Sequence, residues 1–134
     1  MGMTDTPYQP LTPLEAAVRN AMAGVGNEVD VLAQLLTSDI CVPSASEVQQ
    51  SGVGLTPLVL RSQRFNSPMI LIFDDMSRIG PEISGKAPYC LQVSGDWLVK
   101  NITPDRGITL FVGPGIGCEL SIERLAEARQ SLSR

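Results

Sequence analysis

The chain has 134 residues, the usual length of one domain. With 43% hydrophobic and 18% charged residues, it can bury a sizeable core and does not have the composition of a disordered chain. The net charge of −4 argues against binding to a nucleic-acid backbone, and the absence of histidine excludes imidazole acid–base chemistry, serine-type triads and histidine-containing metal sites within one chain.

The first third of the chain predicts a lead-in followed by two helices. Residues 1–11 are polar and lack a signal peptide, and we expect them to be a disordered lead-in. Thr12 is the predicted N-cap of the first helix, and Glu15 would complete its capping box. The apolar stripe of this helix comprises Leu14, Ala17, Val18, Ala21 and Met22. Asn27 is the predicted N-cap of the second helix, which would end near Ser38. Its buried face would comprise Val29, Leu32, Ala33 and Leu36.

Three strands are predicted next. Residues 40–42 form a short strand closed by Pro43, and residues 44–56 are expected to be a flexible, disordered loop. Residues 58–63 and 69–73 are two strands joined by a hairpin. Because residues 69–73 are apolar without alternation, this strand should be central and covered on both faces.

The second half of the chain alternates strands and helices. One short helical turn at residues 74–79 precedes a strand at 89–93, and Ser94 is the predicted N-cap of a helix over 95–102. A strand at 108–112 and a final helix with Ser121 as its N-cap follow. This order predicts a single α/β (α+β) domain, with a mixed sheet of about five strands and helices packed on it.

The predicted order of elements places a glycine-rich turn between the last strand and the last helix. It contains Gly113, Gly115 and Gly117. Such a turn can direct backbone N–H groups at an anion. The segment lacks the Lys-Ser/Thr of a P-loop and the full G-x-G-x-x-G spacing, so a structural turn is the first interpretation. A small ligand or anion held by these glycines and Ser121 is the alternative.

Few other residues are candidates for chemistry. Asp74 and Asp75 are predicted to cap the helical turn rather than to bind a metal. The three cysteines are predicted to be buried free thiols of a cytosolic protein. A nucleophilic role for Cys118 would need a base, and no base is identifiable. The cysteines are Cys41, Cys90 and Cys118.

Three residues are candidates for an interface. Core packing is the first interpretation of Trp97, the one tryptophan of the chain, and an interface role is the alternative, because tryptophan is enriched at interface hot spots. Phe65 would contribute to an exposed apolar patch, and Arg64 lies beside it in the predicted hairpin. Arg61, Arg64 and Arg78 are otherwise predicted to form a solvated face.

Residues 12–129 contain, in order, four segments that resemble one known family. Pro-Leu-Glu-Ala-Ala at 13–17 opens the first helix, and Leu-Leu-Thr-Ser-Asp-Ile-Cys-Val-Pro at 35–43 leads from the second helix into a strand. An apolar strand, Phe73, two aspartates and a helical turn follow at 68–79, and Gly-Ile-Thr-Leu-Phe-Val stands at 107–112. Together these segments resemble the amino-terminal domain of SseB, the enhanced-serine-sensitivity protein family of bacteria.

The resemblance implies an α/β domain with no established enzymatic activity. Domains of this name have also been linked, partly through the shared name, to type III secretion. The sequence departs from the family where Gly113-Pro114-Gly115 stands in place of the common Asn-Pro-Gly, so no role of that asparagine carries over. The carboxy-terminal SseB region of longer relatives has no counterpart among the matching segments.

We therefore expect a non-catalytic, cytosolic bacterial binding module that acts through protein–protein contacts or self-association. No cofactor, metal, nucleic acid or membrane is expected as a partner. One alternative is a small-molecule or anion sensor that uses the glycine-rich turn 113–117. The other is an enzyme that uses Asp74, Asp75 or Cys118.

Overall fold

The computed structural model describes residues 11–113 and 115–132, which form five α-helices, one 3₁₀ turn and six strands. The helices are α1 (Pro13–Met22), α2 (Glu28–Leu36), α3 (Pro81–Lys86), α4 (Gly95–Asn101) and α5 (Ile122–Leu132), and the 3₁₀ turn is Met76–Arg78. The strands are β1 (Asp39–Ser44), β2 (Val59–Ser62), β3 (Ser67–Phe73), β4 (Tyr89–Ser94), β5 (Gly107–Gly113) and β6 (Ile116–Leu120). Apart from Leu11, the predicted lead-in lies outside the described residues.

The six strands form one mixed sheet, in which five strands follow the order β4-β1-β3-β5-β6 and β2 pairs with β3 beside this path. β3 and β5 are parallel, and the other pairs are antiparallel. β5 occupies one side of β3, and two strands share the other side. β2 pairs with the first half of β3, and β1 meets β3 at Phe73. The predicted fold class, a mixed sheet with packed helices, is confirmed.

The main core lies on one face of the sheet, under α1, α2, α4 and α5. Its strand side chains are those of Ile40, Ile72 and Leu110 and their neighbours on the same face. A smaller cluster around Leu71 and Phe73 covers part of the opposite face, with Ile79 and Ile83 packed on it. The predicted central strand is confirmed, because β3 is buried from Met69 to Phe73. Burial of each such side chain contributes about 1.5–3 kcal/mol to folding.

The predicted helix starts are confirmed by their hydrogen bonds. Thr12 Oγ1 accepts a bond from the Glu15 N–H at 3.0 Å, and Asn27 forms a full capping box with Asp30. Ser94 is the N-cap of α4, where its hydroxyl accepts from the backbone N–H of Trp97. The box predicted for Glu15 is wrong, because its carboxylate accepts from the Leu11 N–H at 2.8 Å instead.

The buried face predicted for α2 is wrong in part. Val29 is 53% exposed and Ala33 is exposed, whereas Val31 and Leu35 are fully buried. The reason is that α2 packs between α1 and α4. Its buried side chains therefore face these two helices as well as the sheet, and they do not form a single stripe that faces the sheet alone. Met22, predicted in the stripe of α1, is likewise exposed.

The disordered loop predicted over residues 44–56 is also wrong. The Ala45 N–H donates to the Thr56 carbonyl at 2.9 Å, which closes the segment at its base. Ser44 is fully buried, and its hydroxyl accepts from the Thr56 N–H at 2.9 Å. These bonds join residues that are distant in sequence, and the loop is therefore part of the fold. β1 also continues through Pro43 rather than ending there.

β6 is the most important element that the sequence analysis did not predict. It pairs antiparallel with β5, with Leu110 opposite Cys118 and Phe111 opposite Gly117. The glycine-rich segment is therefore a hairpin turn between two strands, and the predicted strand-to-helix turn is wrong. Gly115 has a φ of 70°, which favours glycine at this position. The short helix α3 was not predicted either.

Candidate functional site

A groove of about 960 Å³ lies beside β6. The end of α1, the start of α2 and the start of α5 form one side of it, and the β5–β6 hairpin and the β2–β3 turn form the other. Residues that line it include Met22, Val29, Arg64, Gly117, Cys118 and Arg124. The groove thus combines an apolar lining with charged side chains at the exposed end of the sheet.

The groove brings together residues from both sets of predicted site residues. Gly115 and Gly117 from the ligand set and Arg64 from the interface set all line it. Gly113 lies at the end of β5 and does not line it. Ser121 does not line it either. Its hydroxyl accepts from the Arg124 N–H at 3.1 Å and caps the start of α5.

The charges in the groove are organised around Glu28. Its carboxylate pairs with Arg64 at 2.9 Å and with Arg124 at 3.9 Å. The Arg64 guanidinium also lies over the Phe65 ring, 4.7 Å from its centroid. Within the described residues, Glu119 on β6 forms no ion pair. Because the Arg64 side chain is 63% exposed, its ion pair with Glu28 contributes little to the stability of the fold.

An exposed apolar corner extends the groove at the turn between α1 and α2. Met22 is 59% exposed, Val25 is 76% exposed and Val29 is 53% exposed. Met22 and Val29 also line the groove itself. Contiguous apolar side chains exposed in this way are a typical feature of interaction surfaces.

Cys118 lies in the groove but is poorly suited to nucleophilic chemistry. Burial, followed by the negative charge of Glu28, raises the pKa of the Cys118 thiol to about 11. The thiol is therefore protonated at neutral pH, and thiols in that form are weak nucleophiles.

Trp97 lies away from the groove, beside a second cavity of about 420 Å³. Its side chain is half-buried and packs on the main core. The indole also contacts the 45–56 loop so closely that a Cβ added to Gly52 would lie 2.7 Å from it. The interface role of Trp97 stays a prediction, and the structure gives this residue a packing role.

A buried ion cluster fixes the start of α1 to the end of β3. The Arg78 guanidinium bonds the carboxylate of Glu15, which is 0% exposed, and its Nε lies 3.0 Å from Asp74 Oδ1. Thr12 donates its hydroxyl proton to Asp74, and Arg19 Nε lies 2.7 Å from Glu15 Oε2. Hydrogen bonds to Asp74 and then to Glu15 raise the pKa of Arg78.

This cluster corrects two predictions. Arg78 is not part of a solvated face, and Asp74 is paired with it rather than serving as a cap. Asp75 is the predicted cap, since its Oδ2 accepts from the Ser77 N–H at 3.0 Å. Hydrogen bonds from the side chain and backbone of Ser77 lower the pKa of Asp75. The available sequence signal was Glu15 itself, a carboxylate set directly beside the apolar stripe of α1.

A family model described as the SseB protein N-terminal domain matches residues 14–127 of the chain. The chain belongs to the SseB family. The resemblance given by the sequence is thereby confirmed, and the matched range runs from α1 to α5 and includes every strand. A search of curated proteins found no match to the chain, and a search of solved structures found none.

Two further features of the SseB domain bear on its possible ligands. Across residues 11–113 and 115–132, no three histidine, cysteine, aspartate or glutamate side chains are grouped as they would be around a metal ion. None of the helices in these ranges has the length and apolar character needed to cross a membrane.

Proposed function

We propose that this SseB-family chain is a non-catalytic, cytosolic bacterial binding module that acts through protein–protein contacts. Its binding surface is the groove beside β6 together with the exposed apolar corner at Met22, Val25 and Val29. The observation that carries this proposal is the position of β6, which lies at an end of the sheet with the groove along it.

The edge position of β6 supports the proposal because a strand paired on one side has free backbone donors and acceptors on the other. Among the described residues, the ladder of β6 is formed with β5 alone. The opposite edge of the sheet is partly occupied, since Gln50 Nε2 donates to the Gln92 carbonyl of β4 at 3.0 Å. An extended segment of a partner protein can therefore add to the sheet at β6 rather than at β4.

The side chains around β6 provide the means of selecting such a segment. Successive side chains of an added strand alternate between the two faces of the sheet. On the helix-covered face they would meet the apolar corner, and on the other face they would meet Glu119. A segment that alternates apolar and basic residues fits this arrangement, because Glu119 has no ion pair among the described residues.

The carboxylates and thiol that an enzyme would use are engaged elsewhere, which supports a non-catalytic role. Asp74 is neutralised in the buried cluster with Arg78, Asp75 caps the 3₁₀ turn, and the pKa of Cys118 is raised. The three cysteines are free, as is usual in a reducing compartment, and this supports the cytosolic assignment.

A pair of matched variants tests the proposed surface. Val29→Lys places a charge in the apolar corner, and Val53→Lys places the same charge on the 45–56 loop, where Val53 is 62% exposed. Both variants should fold, since both positions are exposed. We expect proteins captured from the source cell's lysate, and any self-association seen by light scattering, to be lost in Val29→Lys and kept in Val53→Lys. Equal binding by both variants would refute the assignment of this surface.

A small anionic ligand is the second candidate, favoured by the convergence of Arg64 and Arg124 on the single carboxylate of Glu28. A ligand that binds only the folded state raises the melting temperature with its concentration. Inorganic phosphate and simple dicarboxylates should therefore stabilise the wild type and fail to stabilise Arg64→Gln. The absence of any shift in the wild type would remove this candidate.

A further inference from the structure

Two cysteines lie side by side on neighbouring strands. In the β1–β4 ladder, Cys41 is opposite Gln92 and Cys90 is opposite Pro43, so the two cysteines are diagonal neighbours on the same face of the sheet. Both belong to the smaller apolar cluster that contains Leu71 and Phe73. This is the face opposite the four main helices, and it is covered only in part.

The two thiols differ in access and in acidity. Cys41 is 2% exposed, whereas Cys90 on the edge strand β4 is half-buried. The interaction between the two neighbouring thiols lowers the pKa of Cys90 despite its burial and raises the pKa of Cys41. Cys90 is therefore the thiol that a reagent from solvent reaches first, and Cys41 is held beside it.

We propose that Cys90 and Cys41 form a reversible oxidation site, in which hydrogen peroxide oxidises Cys90 and Cys41 then closes a disulfide with it. In the first step the Cys90 thiolate attacks one peroxide oxygen, the O–O bond breaks and hydroxide leaves, giving a sulfenic acid. In the second step the Cys41 sulfur attacks the Cys90 sulfur, the S–O bond breaks, and the Cys41 proton leaves with that oxygen as water. Two thiols thus supply the two electrons that reduce one peroxide to two waters.

The position of the pair predicts a disulfide that is easily reduced. Diagonal neighbours in an antiparallel ladder have Cα atoms about 7–8 Å apart, which is beyond the usual span of a disulfide. Bridging therefore requires β4 to shift along β1, and an edge strand is restrained by pairing on one side only. Strained disulfides have higher reduction potentials and behave as labile bonds rather than structural ones.

Cys118 serves as an internal control. It is half-buried like Cys90, but its pKa is about 11, whereas that of Cys90 lies below its ordinary value of 9.0. The Cys90 thiol therefore has the larger thiolate fraction at neutral pH, and the thiolate is the reactive form. We expect Cys90 to be oxidised by peroxide faster than Cys118.

The test is oxidation of the full chain by hydrogen peroxide, followed by alkylation, tryptic digestion and mass spectrometry. Cleavage after lysine and arginine leaves the three cysteines on separate peptides, 20–61, 87–100 and 107–124. We expect peptides 20–61 and 87–100 to be linked with the loss of two hydrogens, and dithiothreitol to separate them.

Three serine variants distinguish the roles of the thiols. In Cys41→Ser, Cys90 should proceed to sulfinic and sulfonic acids, because no thiol remains to capture the sulfenic acid. In Cys90→Ser, Cys41 should stay unoxidised, and Cys118→Ser should form the linked peptides as the wild type does. Oxidation of Cys118 as fast as Cys90, or over-oxidation of wild-type Cys90 without the linked peptides, would overturn the proposal. Neither result depends on whether the groove binds a partner.

Discussion

Replacement of Arg78 by methionine removes the cation that bridges Glu15 and Asp74. The Glu15 side chain is 0% exposed, the Asp74 side chain is 1% exposed and the Arg78 side chain is only 14% exposed, so water cannot replace the guanidinium without rearrangement. Removal of one partner from a buried ion pair typically costs about 3–5 kcal/mol, because the remaining charge stays buried without compensation. We expect the free energy of unfolding to fall by about that amount.

Urea denaturation followed by circular dichroism measures this loss. Arg61→Met is the matched control, because Arg61 is exposed and its guanidinium bonds only Asn66 among the described residues. It should change the free energy of unfolding by less than about 0.5 kcal/mol. The reasoning about the cluster would be refuted if Arg78→Met lost no more than this control. A triple variant with apolar residues at 15, 74 and 78 should recover part of the loss, because no buried carboxylate then lacks its cation, while the Arg19 side chain is 37% exposed and can be solvated.

Two further predictions concern backbone packing and pH. In a urea titration, Gly95→Ala should lower the free energy of unfolding by more than about 3 kcal/mol, since a Cβ at position 95 would lie 1.8 Å from the Leu35 carbonyl oxygen. Gly80→Ala is the control and should be nearly neutral, because a Cβ at position 80 meets nothing within 4 Å. The lowered pKa of Asp75 stabilises the folded state above the ordinary value of 3.8, and this contribution is lost as the pH falls through the lower folded-state value. Between about pH 5 and pH 3, the free energy of unfolding measured in urea should therefore fall less in Ser77→Ala than in the wild type. An unchanged pH dependence would contradict this cause.

The features that the sequence predicted correctly are those fixed by local interactions. Thr12, Asn27 and Ser94 each bond a backbone N–H two or three residues further on, so each cap can be identified from a short window. The central position of β3 is also a local signal, since an uninterrupted apolar run must be covered on both faces. These signals were enough to predict the fold class.

The features that escaped prediction depend on contacts between distant residues. The 45–56 loop is held by bonds to Ser44 and to its own far end, and Glu15 pairs with Arg78 from 63 positions away. β6 is the exception: Ile116, Cys118 and Leu120 alternate with Gly117 and Glu119, so its strand signal was local, but the glycines of the segment led to the prediction of a turn. Gly117 is nevertheless required there, because a Cβ at this position would lie 2.7 Å from the Leu110 carbonyl oxygen of the neighbouring strand.

The missed strand changes the class of ligand that the glycine-rich segment indicates. A turn at a helix start would present clustered N–H groups to an anion, whereas a hairpin turn leads into a strand whose outer edge carries alternating donors and acceptors. An anion cannot satisfy such an edge, and an extended polypeptide can. The two arginines near this edge are already paired with Glu28, so an anion would also have to compete with that carboxylate. This competition is the physical reason for placing a protein partner before a small anion in the proposed function.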